Sequence, residues 1–259
     1  MLIESTEKMA GEGSAMLVHT DCRHFLGDRP CRPHKLEGVK CDGCSHYQRK
    51  GERILIVKLD AVGDVLRTTC VLDALHEAHP HCHVEWLTME NAAELLDNNP
   101  LVAQVHRFPD TALMELLTRR YDVVINLDNS PRSCQLATLA QGRRKMGFGF
   151  NPDGHIEPLS DAARVWFEMG LFDDVKRRNT RTYQEIALEV CGLPTQRRDL
   201  HLHLSAEERA WARSSAVRWG IDEHASVVGL NTGCGTRWPH KKWTEDGYVT
   251  LIGMLHEHG

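Results

Sequence analysis

From Arg53 onward, short apolar blocks alternate with segments whose apolar residues recur at helical spacing. RILIVKL (53–59) is short, β-branched and nearly continuous in apolar residues, which predicts a strand buried on both faces. VLRTTCVLDALHEAHP follows, with Leu66, Thr69, Leu72, Leu75 and His79 near the spacing of one helix face. HVEWLT, QVHRF and DVVINL predict three more strands, and ENAAELLDNN and TALMELLTRR predict the helices between them. SPRSCQLATLAQ predicts a helix with KMGFGF as a strand behind it. Residues 149–180, rich in Gly, Pro, Asp and Arg, read as a long loop with one helix around VWFEMGLF. YQEIALEVCGL predicts a helix stopped by Gly192 and Pro194. SAEERAWARSSAVRWG predicts another, opened by the capping pair Ser205 and Glu208. SVVGLN is then expected as a strand, and WTEDGYVTLIGMLHEH as a helix capped by Thr244.

This βαβ order predicts an α/β fold with a parallel sheet covered on both faces. The expected domains are a loose N-terminus (1–21), a Cys-rich module (22–50), a Rossmann-like domain (51–200) and the beginning of a second (201–259). A lone βα unit cannot bury its own faces, so the last segment reads as an incomplete domain and the chain as a C-terminally truncated fragment.

The charge balance narrows the partners. Net charge is −5 over 259 residues, which argues against bulk nucleic-acid binding. No apolar run approaches the ~20 residues of a bilayer span, and the first 21 residues lack a secretory pattern, so a cytoplasmic protein is expected.

In that compartment the nine cysteines are expected reduced, and clustered ones read as metal ligands. Cys22, Cys31, Cys41 and Cys44 form C-x8-C-x9-C-x2-C, with His24, His34 and His46 nearby as substitutes. The pattern suits a structural zinc held by four cysteines, or by three and a histidine; an iron–sulfur cluster is the alternative. Residues 22–53 carry eight Lys or Arg against four acids; an ordinary solvated surface is the plainer reading, and contact with anionic lipid the alternative. His79, His81 and His83 read as surface histidines, without a converging ligand shell.

In open parallel sheets, ligands bind beyond the carboxyl ends of the strands. Lys58, Asp60, Gly63 and Asp64 fall there after the first strand, and Asp128, Asn129, Ser130 and Arg132 after DVVINL. Gly63 permits close backbone approach or positive φ. Asp64 suits a general base, while helix capping by Asp60 or Asp64 is the plainer role. A Rossmann dinucleotide fingerprint is absent, since the turn has one glycine and not three.

ILIVKLDAVGDVLRTTCVLDALHEAHP resembles the opening of the ADP-heptose:lipopolysaccharide heptosyltransferases, glycosyltransferase family 9. The resemblance continues through YDVVINLDNSPRSCQLATLAQGRRKMGFG, RTYQEIALEVCGLP and VVGLNTGCGTRWPHKKWTEDGYVTLI, over roughly residues 53–259. It implies the GT-B architecture of two Rossmann-like domains and inverting transfer without a catalytic metal. It also implies an ADP-heptose-like donor and a lipopolysaccharide-type glycolipid acceptor, met at the cytoplasmic face of the inner membrane. Asp64 is then the base, with Lys58, Asp60, Gly63, Asp128, Asn129 and Arg132 toward the acceptor. Thr232, Gly233, Gly235, Thr236 and Arg237 form the implied donor-phosphate segment, where strand-end glycines expose backbone N–H groups.

Two departures stand out. Many members carry a lysine at the position of Thr236, so Arg237, Lys241 or Lys242 must supply the charge. The family's later Asp-(Thr/Ser)-Gly-x-x-His segment is not found, and the chain is expected to bind donor poorly without it. The competing reading is a non-catalytic metal finger on an α/β scaffold, binding nucleic acid or anionic lipid.

Overall fold

The computed structural model describes residues 16–109, 112–196, 198–222, 224, 226–233 and 241–257. The chain forms two compact units, Met1–Leu204 and Ser205–Gly259.

The first unit opens with a small module around α1 (Arg32–Glu37), closed by an antiparallel bridge between Cys22 and Arg49. A Rossmann-like domain follows. Its elements are β1 (Arg53–Val57), α2 (Val62–Thr68), α3 (Val71–Ala78), β2 (His83–Met89), α4 (Glu90–Ala93), β3 (Gln104–Phe108), α5 (Ala112–Thr118), β4 (Arg120–Asn126), α6 (Pro131–Leu139), β5 (Gln141–Phe150), β6 (Ile156–Pro158), α7 (Asp161–Leu171), α8 (Asp173–Arg178) and α9 (Tyr183–Val190). The six strands lie in the order β3-β2-β1-β4-β5-β6. The first five pair in parallel, and β6 folds back antiparallel on β5.

Strand alternation divides the core. Ile54, Ile56, Val84, Trp86 and Ile125 face Leu72, Leu75 and Leu188 on one side of the sheet. Leu55, Val57, Leu87 and Val124 face Leu116 and Leu136 on the other. This two-faced burial is why the strands read as continuous apolar runs. At Gly147, with φ +88°, a Cβ would fall 1.9 Å from the Asn126 carbonyl, so only glycine lets β5 lie this close to the end of β4.

Three expectations are corrected. The single helix after β1 is two, α2 and α3. Thr68 Oγ1 donates to the Asp64 carbonyl at 2.6 Å and Thr69 Oγ1 to the Leu66 carbonyl at 2.6 Å. Such back-bonding bends helices, and here the break falls between them. The long loop at 149–180 instead contains β6, α7 and α8; Ser160 accepts from the Ala163 N–H and starts α7. SVVGLN is not a strand: 226–230 are irregular, and the described residues of the second unit offer no strand to pair with.

The second unit carries α10 (Ala206–Arg218) and α11 (Glu245–Glu257). Ser205 and Glu208 make the expected capping box, and Thr244 Oγ1 accepts from the Gly247 N–H at 3.1 Å.

Toward the amino ends of the strands, the Glu85 side chain is fully buried. His106 Nε2 lies 2.7 Å from its Oε2, Arg119 Nη1 donates to Oε2 at 2.9 Å, the Tyr121 hydroxyl donates to it at 3.0 Å, and Arg53 Nε stands 3.3 Å from Oε1. Burial raises the Glu85 pKa, but the His106 hydrogen bond and the Arg119 and Arg53 charges outweigh it and hold it at about 2.

Candidate active site

The strand order reverses between β1 and β4, so the ligand crevice is expected beyond their carboxyl ends. Two loops leave the sheet there, and Asp128 knots them together. Its Oδ2 accepts from the N–H groups of Leu59 at 3.2 Å and Asp60 at 3.4 Å, and its Oδ1 from the Ser130 N–H at 3.1 Å. Lys58 is buried beside it, with Nζ 3.7 Å from Asp128 Oδ2 and donating to the Asp60 carbonyl at 2.7 Å. Lys58 and Asp128 therefore spend their charges on each other and on the loop backbone, which fixes the path into α2. Ser130 caps α6 by accepting from the Ser133 N–H at 3.2 Å.

Asp64 stands in the first turn of α2, where the helix dipole favours a carboxylate. The N-cap is Ala61, which contributes no side-chain cap. The Asp64 side chain is 38% exposed, and Oδ1 is 3.0 Å from Arg67 Nη2. Gly63 lies within α2 without positive φ, and nothing stands within 4 Å of where its Cβ would be, so its use is open space rather than an unusual backbone angle.

Arg67 leads from Asp64 to a cavity of about 420 Å³. Its guanidinium lies over the Tyr183 ring, 3.8 Å from the centroid, and its buried Nε has no hydrogen-bond partner among the described residues. Trp166 meets Tyr183 edge-on at 5.4 Å. Lys176, Arg181 and Asn129 complete the polar wall. The Tyr183 hydroxyl sits 2.5 Å from Thr68 Oγ1, so one chain of hydrogen bonds runs from the cavity to the Asp64 carbonyl. Burial pushes the Tyr183 phenol up, which keeps it a neutral donor. An aromatic floor with cationic walls suits a sugar bearing an anionic group.

Of the other acceptor-side candidates, Asp60 is exposed on the loop and Asn129 reaches the cavity. Arg132 instead lies 5.7 Å from the Phe108 ring centroid and does not line the cavity. Sequence reasoning missed Arg67, Trp166, Lys176, Arg181 and Tyr183. The one available signal was the concentration of Arg and aromatic residues in 164–183, a long segment of the kind that carries function.

In the second unit, Thr232 and Gly233 are exposed, with the Gly233 N–H donating to Asn231 Oδ1 at 3.1 Å. Lys241 is exposed as well. Gly235, Thr236 and Arg237 lie outside the described residues.

Cys22, Cys31, Cys41 and Cys44 line one cavity of the N-terminal module. As the side chains stand, no three His, Cys, Asp or Glu among the described residues are grouped so as to hold a metal ion.

The model of glycosyltransferase family 9 (heptosyltransferase) matches residues 111–259. Among solved structures, a glycosyl transferase family 9 protein from Veillonella parvula DSM 2008 superposes with a TM-score of 0.59 at 22% identity, over 79% of this chain and 61% of its own. The E. coli ADP-heptose lps heptosyltransferase II superposes with a TM-score of 0.51 at 20% identity, over 80% of this chain and 62% of its own. The chain thus spans about three fifths of the length of these two structures, and at such identity the likeness is one of fold. No curated protein gives a significant match.

Proposed function

Because the chain belongs to glycosyltransferase family 9, we propose that it serves an inverting transfer of heptose, or a related sugar, from an ADP-sugar to a lipopolysaccharide-core or similar glycan acceptor. The acceptor occupies the cavity of the first unit, its ring against Trp166 and Tyr183 and its anionic groups against Arg67, Lys176 and Arg181. Asp64 takes the proton of the attacking hydroxyl while that oxygen bonds to the anomeric carbon from the face opposite the leaving diphosphate. The bond from the anomeric carbon to the diphosphate oxygen breaks, and ADP leaves. Thr232, Gly233, Gly235, Thr236, Arg237 and Lys241 receive the charge that develops on the phosphate.

The observation that carries this reading is the position of Asp64. It is a half-exposed carboxylate in the first turn of α2, oriented by an arginine that itself lines a sugar-sized cavity. The loop that carries it is fixed from beneath by Asp128 and Lys58.

A second, basic cavity supports contact with anionic head groups of the inner membrane at its cytoplasmic face. It is lined by Arg23, Arg49, Lys50, His81 and His83 near the amino ends of β1 and β2. Among the described residues no helix is long and apolar enough to cross a membrane, so this contact is peripheral.

The test is Asp64→Asn in a transfer assay with ADP-heptose and a lipopolysaccharide-type acceptor. Turnover is expected to fall about 10²–10⁴-fold with an unchanged melting curve; full retained turnover refutes the assignment of the base.

A further inference from the structure

The N-terminal module is held by too little apolar surface for its size. Among residues 16–50 only Cys22 and Pro33 are buried, while Met16, Leu17, Val18, Leu26 and Leu36 are exposed. Segments this poor in core generally need a cross-link or a metal to keep one shape. Reduced cysteines leave the second.

The four cysteines of the module arrive from three separate places. Cys22 sits at the bridge to Arg49. Cys31 is the N-cap of α1, without a side-chain cap bond. Cys41 and Cys44 flank one turn, in which the Cys44 N–H meets the Cys41 carbonyl at 3.3 Å and Gly43 takes φ +67°. That left-handed glycine makes the turn between the C-x2-C pair a tight one. All four thiols line a single cavity of about 340 Å³, with Phe25, Pro33, Val39 and Tyr47 among its other walls.

The described cysteines of the α/β domain behave differently. Cys70, Cys82, Cys134 and Cys191 are all buried, and burial pushes their thiols up, to about 12, 11 and 11 for the first three. They are neutral core filling. Two of the module's histidines have other partners on at least one ring nitrogen: His34 Nδ1 lies 2.9 Å from the Val39 carbonyl, and His46 Nε2 lies 2.7 Å from Glu37 Oε2.

We infer that Cys22, Cys31, Cys41 and Cys44 together form a four-thiolate metal centre that holds the N-terminal module in its fold. Each thiol loses its proton to solvent as its sulfur bonds to metal. The four cysteines share one cavity, and as they stand no three of them are grouped closely enough to hold a metal ion. A single zinc ion requires them to close to Zn–S bonds of ~2.3 Å. An iron–sulfur cluster, which bonds its cysteines through different iron atoms, is the other centre that four thiolates serve.

The experiment is anaerobic purification of the whole chain, with zinc, iron and acid-labile sulfide measured per molecule. Either about one zinc, or about four iron with four sulfides, supports the centre, and the two results separate the sources. Cys41→Ser with Cys44→Ser should lose at least about nine tenths of that metal, while His34→Ala and His46→Ala retain it. Because the double variant can fail to fold, the unaltered protein is also treated with a strong chelator and then probed by limited proteolysis. Cleavage confined to residues 16–50 is expected. Absence of stoichiometric zinc or iron, or full metal in the double cysteine variant, overturns the inference. Metal lost in a histidine variant overturns the four-thiol set.

Discussion

Two carboxylates at opposite ends of the same sheet show how differently one fold can use a negative charge. Glu85, toward the amino ends of the strands, is fully buried and surrounded by Arg119, His106, Tyr121 and Arg53. Asp64, beyond the carboxyl ends, is 38% exposed and, among the described residues, paired with Arg67. The first has Arg119, Tyr121 and His106 on Oε2, the Arg53 charge beside Oε1 and no room for a substrate, so its energy is invested in the fold. The second keeps open space beside it, at the place where parallel sheets bind ligands. The same residue chemistry is structural where charged partners enclose it and open to a ligand where they do not.

The largest expected effect separates the two in activity. Asp64→Asn should lower transfer about 10²–10⁴-fold and leave the melting temperature alone, whereas Glu85→Gln should leave turnover per folded molecule unchanged. Equilibrium denaturation reverses the ranking: removing one member of a buried charge cluster costs about 3–5 kcal/mol, so Glu85→Gln should shift the midpoint strongly and Asp64→Asn barely.

Acid sharpens the contrast further. Glu85 titrates near 4.5 when unfolded and about 2 in the folded protein. Its contribution is therefore complete above pH ~4.5 and lost as pH falls toward 2, in total about 3 kcal/mol. Stability of the unaltered protein should decline steeply over that window, and the Glu85→Gln curve should be flatter there. Equal slopes would remove Glu85 from the account.

Smaller effects test the reach of each carboxylate. Arg67→Ala removes a cavity wall and the partner of Asp64, so it should raise the acceptor KM about tenfold, as expected for loss of a charge-assisted hydrogen bond worth about 1.5 kcal/mol. It should lower kcat by less. Arg49→Ala should weaken binding to anionic vesicles only about fivefold, near 1 kcal/mol per basic group, and raised salt should abolish the difference.

Much of the sheet could be read from the chain, because strands buried on both faces declare themselves as apolar runs; QVHRF became β3 residue for residue. Helix ends marked by Ser205 and Thr244 were equally visible, since a cap is a local hydrogen bond. Asp64 stood out for the same reason, set in a short turn between a strand and a helix. What could not be read depended on distant partners. The two threonines that break the helix after β1 look like ordinary helix residues in a list. Trp166 and Tyr183 become a cavity floor only when α7 and α9 fold back toward Arg67, about a hundred residues earlier in the sequence. SVVGLN has the composition of a strand, but a ladder needs a neighbour.

Under the proposed function, the carboxylate of Asp128 has a consequence for the timing of acceptor capture. By holding the Leu59 and Asp60 amides, it removes the conformational freedom of the β1–α2 loop when the chain folds, not when a sugar arrives. Encounter then meets a surface already in its working shape. Its rate should follow solvent viscosity and ionic strength, with no slow first-order phase from loop ordering.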